Sequence, residues 1–461
     1  MISRRKVRKI IDRAEAAYTE SWQFLTGWKD RKLTLSSTSL LRYQPRLAEV
    51  IYDLGWMYQS IARERKSLIA RKNDLTPKWF NHRMRILTSY QATILETVKI
   101  GRILGDYFVW IFYQDERQHL RKHFEHQPIT QVASGMGGKG ELAFISKFGV
   151  LNGHLTLYHG ITTFLRIGDV SFWNPKTNRI SGIGEIKTVS DTGSKVGMTL
   201  YYLWPRNSSK VWPRPSKSTK TTNLPVKQEK QLKRQLESMA ASLQVRKVKD
   251  VKIYDRTHLA EFRQLIAALK RKSVAAGKVG DGLLLVGVKT GKERSLFSRL
   301  LINKSFNKQR LVGIENYARD IIDPTQIKSA DNANRLFMQS LDLAALPGAT
   351  PMFWWPIPSD FVRKLLFHEV TVVAVYNPAH LARKLRGCGF DVRVERKQVM
   401  VKKSGPVRIE MQNMNHLLLY IQQHFVREEF VIQMFQNVIK RVERGELPRN
   451  TMINLHPELF Y

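Results

Sequence analysis

Cysteine is nearly absent from this chain: Cys388 is the only one among 461 residues. A single thiol cannot form an intramolecular disulfide or supply several thiolate ligands to zinc. His119, His123 and His126 recur at helical spacing after Asp115, and we interpret them as a solvated helix end rather than a metal site. With 43% hydrophobic residues the chain is expected to be globular, without a disulfide framework or a structural zinc site.

Acidic residues are also scarce. The chain has 39 Asp and Glu against 76 Lys and Arg, which gives a formal net charge of +37. Such an excess predicts a polyanionic partner. Because the sequence has no run of about 18 apolar residues and no basic amphipathic anchor, we expect nucleic acid and not a membrane. The charged N-terminus lacks the apolar stretch of a secretory signal, so a cytoplasmic location is expected.

Hydrophobic patterning divides the chain into three regions. In residues 1–130 apolar positions recur every three or four residues, as at Leu47, Ile51 and Leu54, which predicts a basic α-helical region. In residues 131–300 strand-like runs alternate with helical ones, and residues 301–461 repeat this pattern as a C-terminal α/β accessory region. We therefore predict an α/β protein with an added helical region.

A short β-hairpin carries the most informative residues of the middle region. Residues 165–172 and 180–189 are rich in β-branched and aromatic side chains, and the sequence N-P-K-T-N between them is typical of a turn. Since side chains alternate along a strand, Glu185 and Lys187 should project from one face. Folding about the turn brings Asp169 roughly opposite Glu185, so two carboxylates and an ammonium are expected to meet.

These three side chains suit metal-assisted chemistry. Mg²⁺ takes oxygen ligands and often binds through two carboxylates plus a phosphate oxygen. A lysine beside the metal can orient or deprotonate water and stabilise a charged phosphorane. The same Glu-x-Lys spacing occurs at Glu64 in a helical stretch and at Glu395 near a strand end, and there it is interpreted as surface charge.

With Gly168-Asp169 followed by Glu185-Ile186-Lys187, the segment resembles the PD-(D/E)XK, or restriction-endonuclease-like, nuclease superfamily. The likeness covers about a third of the chain, roughly residues 135–288. It implies a mixed-sheet core and Mg²⁺- or Mn²⁺-dependent cleavage of DNA. Glycine in place of proline before Asp169, and a long basic insert after the Glu-x-Lys strand, are departures from the family pattern.

The resemblance also implies roles for individual residues. Asp169 and Glu185 would hold the metal together with the carbonyl of Ile186, and Lys187 would activate or position water. Glu141, on a helix before the first strand, would be a further catalytic carboxylate and metal ligand. An auxiliary glutamine on the helix after the Glu-x-Lys strand would be Gln231 or Gln235.

Two segments are candidates for binding nucleic acid. Residues 205–227 form a basic stretch rich in Pro, Ser and Thr that predicts an exposed loop. Its candidate contacts are Arg206, Lys210, Trp212, Arg214, Lys217 and Lys220. The glycine-rich segment 134–140 contains Lys139 but lacks the order of a Walker loop, so we predict a loop leading to the helix of Glu141, or amides near a phosphate.

Together these features predict a metal-dependent endonuclease acting on DNA, with RNA disfavoured only by the resemblance. A role in defence or in a mobile element is what such proteins commonly serve. The alternatives are a non-catalytic nucleic-acid-binding protein on a degenerate nuclease fold, and an assembly protein that packages or bridges nucleic acid. Sequence specificity, a protein partner and homodimerisation stay open.

Overall fold

The computed structural model combines helices with β-sheets and divides the chain into two compact units. It describes residues 1–30, 38–124, 126, 135–191, 196–203, 257–280, 282–290, 295–321, 336–344, 350–395, 398–403, 408–412, 414–446 and 450–454. The first unit comprises the described residues up to 203 together with Thr350–Trp355. The second comprises those from 257 to 344 and from 356 onward. No helix among all the described residues is long and apolar enough to cross a membrane.

The N-terminal region is helical, as its periodicity predicts. Its helices are α1 (Arg4–Lys29), α2 (Thr38–Ala70), α3 (Pro77–Tyr113) and α4 (Arg117–Phe124). Ser3 caps α1 by accepting the Lys6 N–H, and Pro77 starts α3 where a missing N–H costs nothing. The C-terminal third of α3 is buried almost all round, so this helix is the centre of the unit.

Helix α5 and an antiparallel sheet complete the first unit. The elements are α5 (Gly135–Lys147), β1 (Val150–Leu151), β2 (His154–Tyr158), β3 (Val170–Asn174), β4 (Arg179–Asp191) and β5 (Val196–Leu203). The strands lie in chain order and every pair is antiparallel. Within the described residues this sheet is therefore not the predicted mixed sheet, because neighbouring strands joined by short connections pair antiparallel.

The glycine-rich segment is helical where it is described. We predicted a loop over residues 134–140, but α5 already begins at Gly135, whose φ is +77°. Glu141 consequently lies in the second turn of α5 rather than the first. The missing Cβ of Gly140 lets α5 approach β4 closely at Thr188.

The second unit contains two further sheets. Its elements are α6 (Leu259–Arg271), β6 (Val274–Val279), β7 (Leu283–Lys289), α7 (Leu296–Ile321), β8 (Phe337–Ser340), α8 (Ser359–Leu366), β9 (Val370–Tyr376), α9 (Pro378–Gly387), β10 (Asp391–Glu395), β11 (Gln398–Lys403), β12 (Arg408–Gln412), α10 (Met414–His424), α11 (Glu428–Glu443) and β13 (Asn450–Asn454). One sheet has the order β6-β7-β9-β8 and the other β10-β11-β12-β13, in which β12 and β13 are parallel. We placed β6 and β7 with the hairpin in region 131–300, but β7 pairs with β9 in the second unit.

The apolar periodicity of residues 415–442 is typical of one long helix, but the structure has two helices here. Phe425 has a left-handed φ of +56°, and Val426 forms an isolated bridge with Thr257. The chain therefore leaves the helical path between α10 and α11, although the apolar periodicity continues through the break.

The aromatic segment Thr350–Trp355 packs into the first unit. The Phe353 ring is fully buried and stacks on Tyr107, with ring centroids 5.2 Å apart. Lys29 donates hydrogen bonds from Nζ to the carbonyls of Phe353 and Trp355, and the Trp354 indole N–H donates to the Tyr107 carbonyl. These aromatic rings are therefore buried packing groups rather than exposed base-stacking platforms.

Candidate active site

The hairpin of β3 and β4 sets the position of Asp169. Val170 pairs with Gly184, so Asp169, one residue earlier, falls opposite Glu185. The Asp169 N–H donates to the Gly184 carbonyl at 2.8 Å. Gly168 has a φ of +73°, and a Cβ there would lie 2.8 Å from the same Gly184 oxygen. Glycine at this position thus provides a turn that a proline could not adopt.

The Asp169 carboxylate reaches across to the backbone of β4. Its Oδ2 accepts the Ile186 N–H at 2.7 Å, beyond the last pair of the β3–β4 ladder. In an antiparallel strand every second residue directs both its N–H and its C=O to the same neighbour. Gly184 faces Asp169 in this way, so the carbonyl of Ile186 lies on the Asp169 side of β4 as well.

Glu185 and Lys187 alternate with Gly184 and Ile186 along β4, so their side chains project from the same face of the strand. Lys187 Nζ donates to Glu185 Oε1 at 2.5 Å. Glu185 is only 3% exposed, whereas the Lys187 side chain is 30% exposed. The carboxylate is therefore an internal group, whereas the lysine side chain beside it is partly exposed.

Glu141 joins this cluster from helix α5. Its Oε2 accepts the hydroxyl hydrogen of Tyr158 at 2.6 Å, and Tyr158 is the buried last residue of β2. The sequence analysis missed Tyr158. The only signal in the sequence was an aromatic residue at the end of an alternating strand, which is usually interpreted as core.

The pKa shifts of Asp169 and Glu141 come from burial and from the other carboxylates of the cluster. Burial raises the pKa of Asp169 well above its usual value, and the charges of Glu185 and Glu141 raise it further. Burial also raises the pKa of Glu141, with a contribution from Glu185, although the Tyr158 hydroxyl opposes the shift. Lys187 acts in the opposite direction on both groups but does not outweigh burial. The cluster is therefore short of positive charge.

A hard divalent cation would supply that charge. In the described residues, no three His, Cys, Asp or Glu side chains already converge as a preformed metal-binding group. Each carboxylate instead accepts a hydrogen bond from the protein: Asp169 from Ile186, Glu185 from Lys187 and Glu141 from Tyr158. The donor chemistry fits Mg²⁺ or Mn²⁺, since carboxylate and carbonyl oxygens are the ligands that these ions prefer.

The remaining predicted site residues divide into two groups. Lys139 is exposed on α5, two residues before Glu141. Gln231, Gln235 and the loop 205–227, with its six candidate contacts, lie outside the described residues.

The Glu-x-Lys site at Glu64 has different surroundings from that of Glu185. Glu64 lies on α2 and is held in an ion pair with Arg83 and a hydrogen bond from Ile2 N–H. Glu395 is the last residue of β10, where it pairs with Gln398. Glu64 is thus held by an arginine and a backbone N–H, unlike Glu185.

Close packing at Gly140 gives a first testable prediction. A Cβ at Gly140 would overlap Thr188 Oγ1 and lie 3.0 Å from the Thr188 Cβ. Gly140→Ala should therefore push α5 from β4, destabilise the first unit by about 1–3 kcal/mol and displace Glu141. Urea unfolding and Mn²⁺ titration of the full chain would measure both effects.

Gly137 provides the matched control for this substitution. It lies on the same helix, and a Cβ there would meet nothing within 4 Å. Gly137→Ala should be neutral or stabilising by up to about 1 kcal/mol, because alanine favours a helix more than glycine does. Equal effects of the two substitutions would show that contact between α5 and β4 at Gly140 does not matter.

Comparisons of the whole chain with protein-family models, curated proteins and solved structures find no match.

Proposed function

We propose that this protein is a metal-dependent endonuclease that hydrolyses phosphodiester bonds of DNA. The observation that carries the proposal is the juxtaposition across one hairpin of Asp169 and Glu185, with the Lys187 ammonium in contact with Glu185. Both carboxylates are largely withdrawn from water, which is unusual for surface charges in a strand. Their burial has a physical reason if they bind a cation.

In this proposal each residue has a defined task. Asp169 and Glu185, with the Ile186 carbonyl, would hold Mg²⁺ or Mn²⁺, which when bound polarises the phosphate and lowers the pKa of water. Lys187 would orient the attacking water and stabilise negative charge on the phosphorane, because its side chain is partly exposed and its ammonium contacts Glu185. Glu141 would assist from α5, held in place by the Tyr158 hydroxyl.

The order of elements around the site supports a restriction-endonuclease-like core. A helix that carries one acid, α5, precedes three consecutive antiparallel strands, β2, β3 and β4. The second acid, Asp169, immediately precedes β3, and the Glu-x-Lys sequence lies on β4. This order of acid-bearing elements is the one that the resemblance to the PD-(D/E)XK superfamily implies, whereas the all-antiparallel pairing of the described strands departs from the mixed sheet of that family.

The charge of the chain supports nucleic acid as the substrate. A net charge of +37 would attract a phosphate backbone and help to hold it near a site whose own carboxylates repel it. Lys139 on α5 is an exposed cation two residues from Glu141 and is our candidate for a phosphate contact near the cluster.

The decisive test is cleavage of plasmid DNA and of RNA by the full chain with Mg²⁺ or Mn²⁺, and with EDTA. We expect metal-dependent cleavage that Asp169→Ala reduces by at least about 10³-fold, because several kcal/mol of transition-state stabilisation would be lost. Asp391→Ala, which removes an exposed acid before the Glu395 site, should cut normally.

Two results would contradict the proposal. One is wild-type protein that binds DNA but never cuts it with either metal, which would favour the non-catalytic alternative. The other is an Asp169→Ala variant that cuts as fast as wild type, which would place the activity elsewhere or in a contaminant.

A further inference from the structure

The connection between β2 and β3, residues 159–169, delivers Asp169 to the site. His159 is the first residue of this connection and holds its far end in two ways. The backbone N–H of His159 donates to the Asp169 carbonyl at 2.9 Å, and ring Nδ1 lies 2.9 Å from the Gly168 carbonyl. His159 thus binds the two consecutive carbonyls of Gly168 and Asp169, immediately before β3.

The hydrogen bonds around the ring define its protonation. The Gly168 carbonyl can only accept, so His159 Nδ1 must carry the hydrogen. Ring Nε2, 2.7 Å from Ser171 Oγ, is then the acceptor for the Ser171 hydroxyl, which itself accepts from the Tyr113 hydroxyl at 2.8 Å. Tyr113, His159 and Ser171 are almost completely buried. The result is a directed chain from helix α3 through the ring to the residue before Asp169.

Buried groups on α3 and α4 hold the rest of the connection. Asp106 on α3 accepts hydrogen bonds from three successive residues: Thr162, Thr163 and Phe164. His123 Nδ1 on α4 accepts the N–H groups of Arg166 and Ile167 at 2.9 and 3.1 Å. His123 is fully buried, so the prediction of a solvated helix end was wrong for this residue. With its middle fixed in this way, the connection has little freedom left except at Gly168.

We propose that His159 is a positioning residue that fixes the Asp169 carboxylate against β4. This inference rests on the proposed metal-dependent nuclease function. His159 does not touch the carboxylate; it acts through the Gly168 and Asp169 carbonyls, while the carboxylate itself meets Ile186 N–H. Outer residues that orient metal ligands typically contribute 10- to 100-fold to metal affinity or activity.

Two substitutions separate this role from packing alone. In His159→Asn, the side-chain amide can take the place of Nδ1 and donate to the Gly168 carbonyl, whereas His159→Leu keeps the bulk but has no donor. Hydrogen–deuterium exchange of peptides covering residues 159–171 reports on the connection in the full chain. Titration with Mn²⁺, followed by the electron paramagnetic resonance signal of the free ion, reports on the site without requiring catalysis.

We expect His159→Leu to exchange faster over residues 159–171 and to weaken Mn²⁺ binding by about 10-fold or more. His159→Asn should stay within about 3-fold of wild type, because the bond to Gly168 is retained. Tyr113→Phe should have a smaller effect than His159→Leu, since Ser171 can still donate to the ring.

The outcomes distinguish this inference from the proposed function. Equal impairment of the Leu and Asn variants would overturn the positioning role, and so would wild-type Mn²⁺ affinity and exchange in both. Neither result would contradict the proposed nuclease function of the wild-type protein. Wild-type protein that neither binds Mn²⁺ nor cuts overturns the proposed function and the catalytic meaning of His159 with it. Loss in the Leu variant with rescue by Asn supports both.

Discussion

Replacing Lys187 with alanine is expected to reduce cleavage by on the order of 10³-fold without weakening metal binding. Lys187 Nζ lies 2.5 Å from Glu185 Oε1, so its ammonium is beside the place where phosphate charge would develop. Its loss would remove a water-orienting group and a stabilising charge. It would also remove a positive charge that repels a divalent cation, so Mn²⁺ affinity should be unchanged or higher.

A loss of cleavage rate without a loss of Mn²⁺ affinity would distinguish the role of Lys187 from that of the carboxylates. Asp169→Ala should lose both cleavage and Mn²⁺ binding, whereas Lys187→Ala should lose cleavage alone. Single-turnover cleavage at saturating Mn²⁺, with Mn²⁺ titration of the same samples, would measure the two quantities. Lys66→Ala is the matched control, because Lys66 belongs to the Glu-x-Lys sequence on α2. If Lys187→Ala lost Mn²⁺ binding as fully as Asp169→Ala, its role would be structural support of Glu185.

The position of Asp169 opposite Glu185 could be predicted from sequence because the information is local. Strand alternation, the N-P-K-T-N turn and the length of the hairpin together fix which residues face each other. The structure has this register, with Val170 opposite Gly184. The hydrogen bond from Ile186 N–H to the Asp169 carboxylate was not predictable in the same way. It depends on where β3 begins and on the left-handed conformation of Gly168.

Tyr158 and His159 show what local patterns miss. Both look like ordinary core residues at the end of a strand, and each gains its role from a distant segment. Tyr158 meets Glu141 only because α5 packs against the sheet, and His159 meets Gly168 only because the connection closes on itself. Similarly, His123 differs from a solvated helix residue only because the 159–169 connection covers it, a contact that helical spacing cannot reveal.

The assignment of strands to sheets failed for a related reason. The apolar sequence of β7 is typical of a buried strand, but such a sequence carries no signal for the strand's partner. Its neighbours are β6, close in sequence, and β9, which follows only after α7, β8 and α8. The predicted boundary between regions at residue 300 therefore lies between β7 and β9, although these two strands pair in one sheet.

Introducing a methyl group at Gly105 is expected to have the largest effect on stability of any change considered. Gly105 lies in the buried third of α3, and a Cβ there would overlap the backbone carbonyl oxygen of Ile161 and lie 2.6 Å from its carbonyl carbon. A backbone carbonyl cannot rotate away as a side chain can. The connection of residues 159–169 would have to move, although the adjacent Asp106 binds it from the same turn of α3.

We therefore expect Gly105→Ala to destabilise the first unit by about 3 kcal/mol, the upper part of the usual range for overpacking. Urea unfolding followed by hydrogen exchange over α3 would measure this loss. Gly137→Ala is again the control, as a helical glycine with open space at its Cβ.

The consequence for the site makes this substitution informative beyond stability. If residues 159–169 shift to accommodate the methyl group, the Gly168 and Asp169 carbonyls leave His159, and Mn²⁺ binding should weaken even in protein that is still folded. A folded Gly105→Ala variant with normal Mn²⁺ affinity would mean that the hairpin positions Asp169 without help from α3. Weakened binding would instead make the N-terminal helices part of the catalytic apparatus, because they hold the connection that carries its first carboxylate.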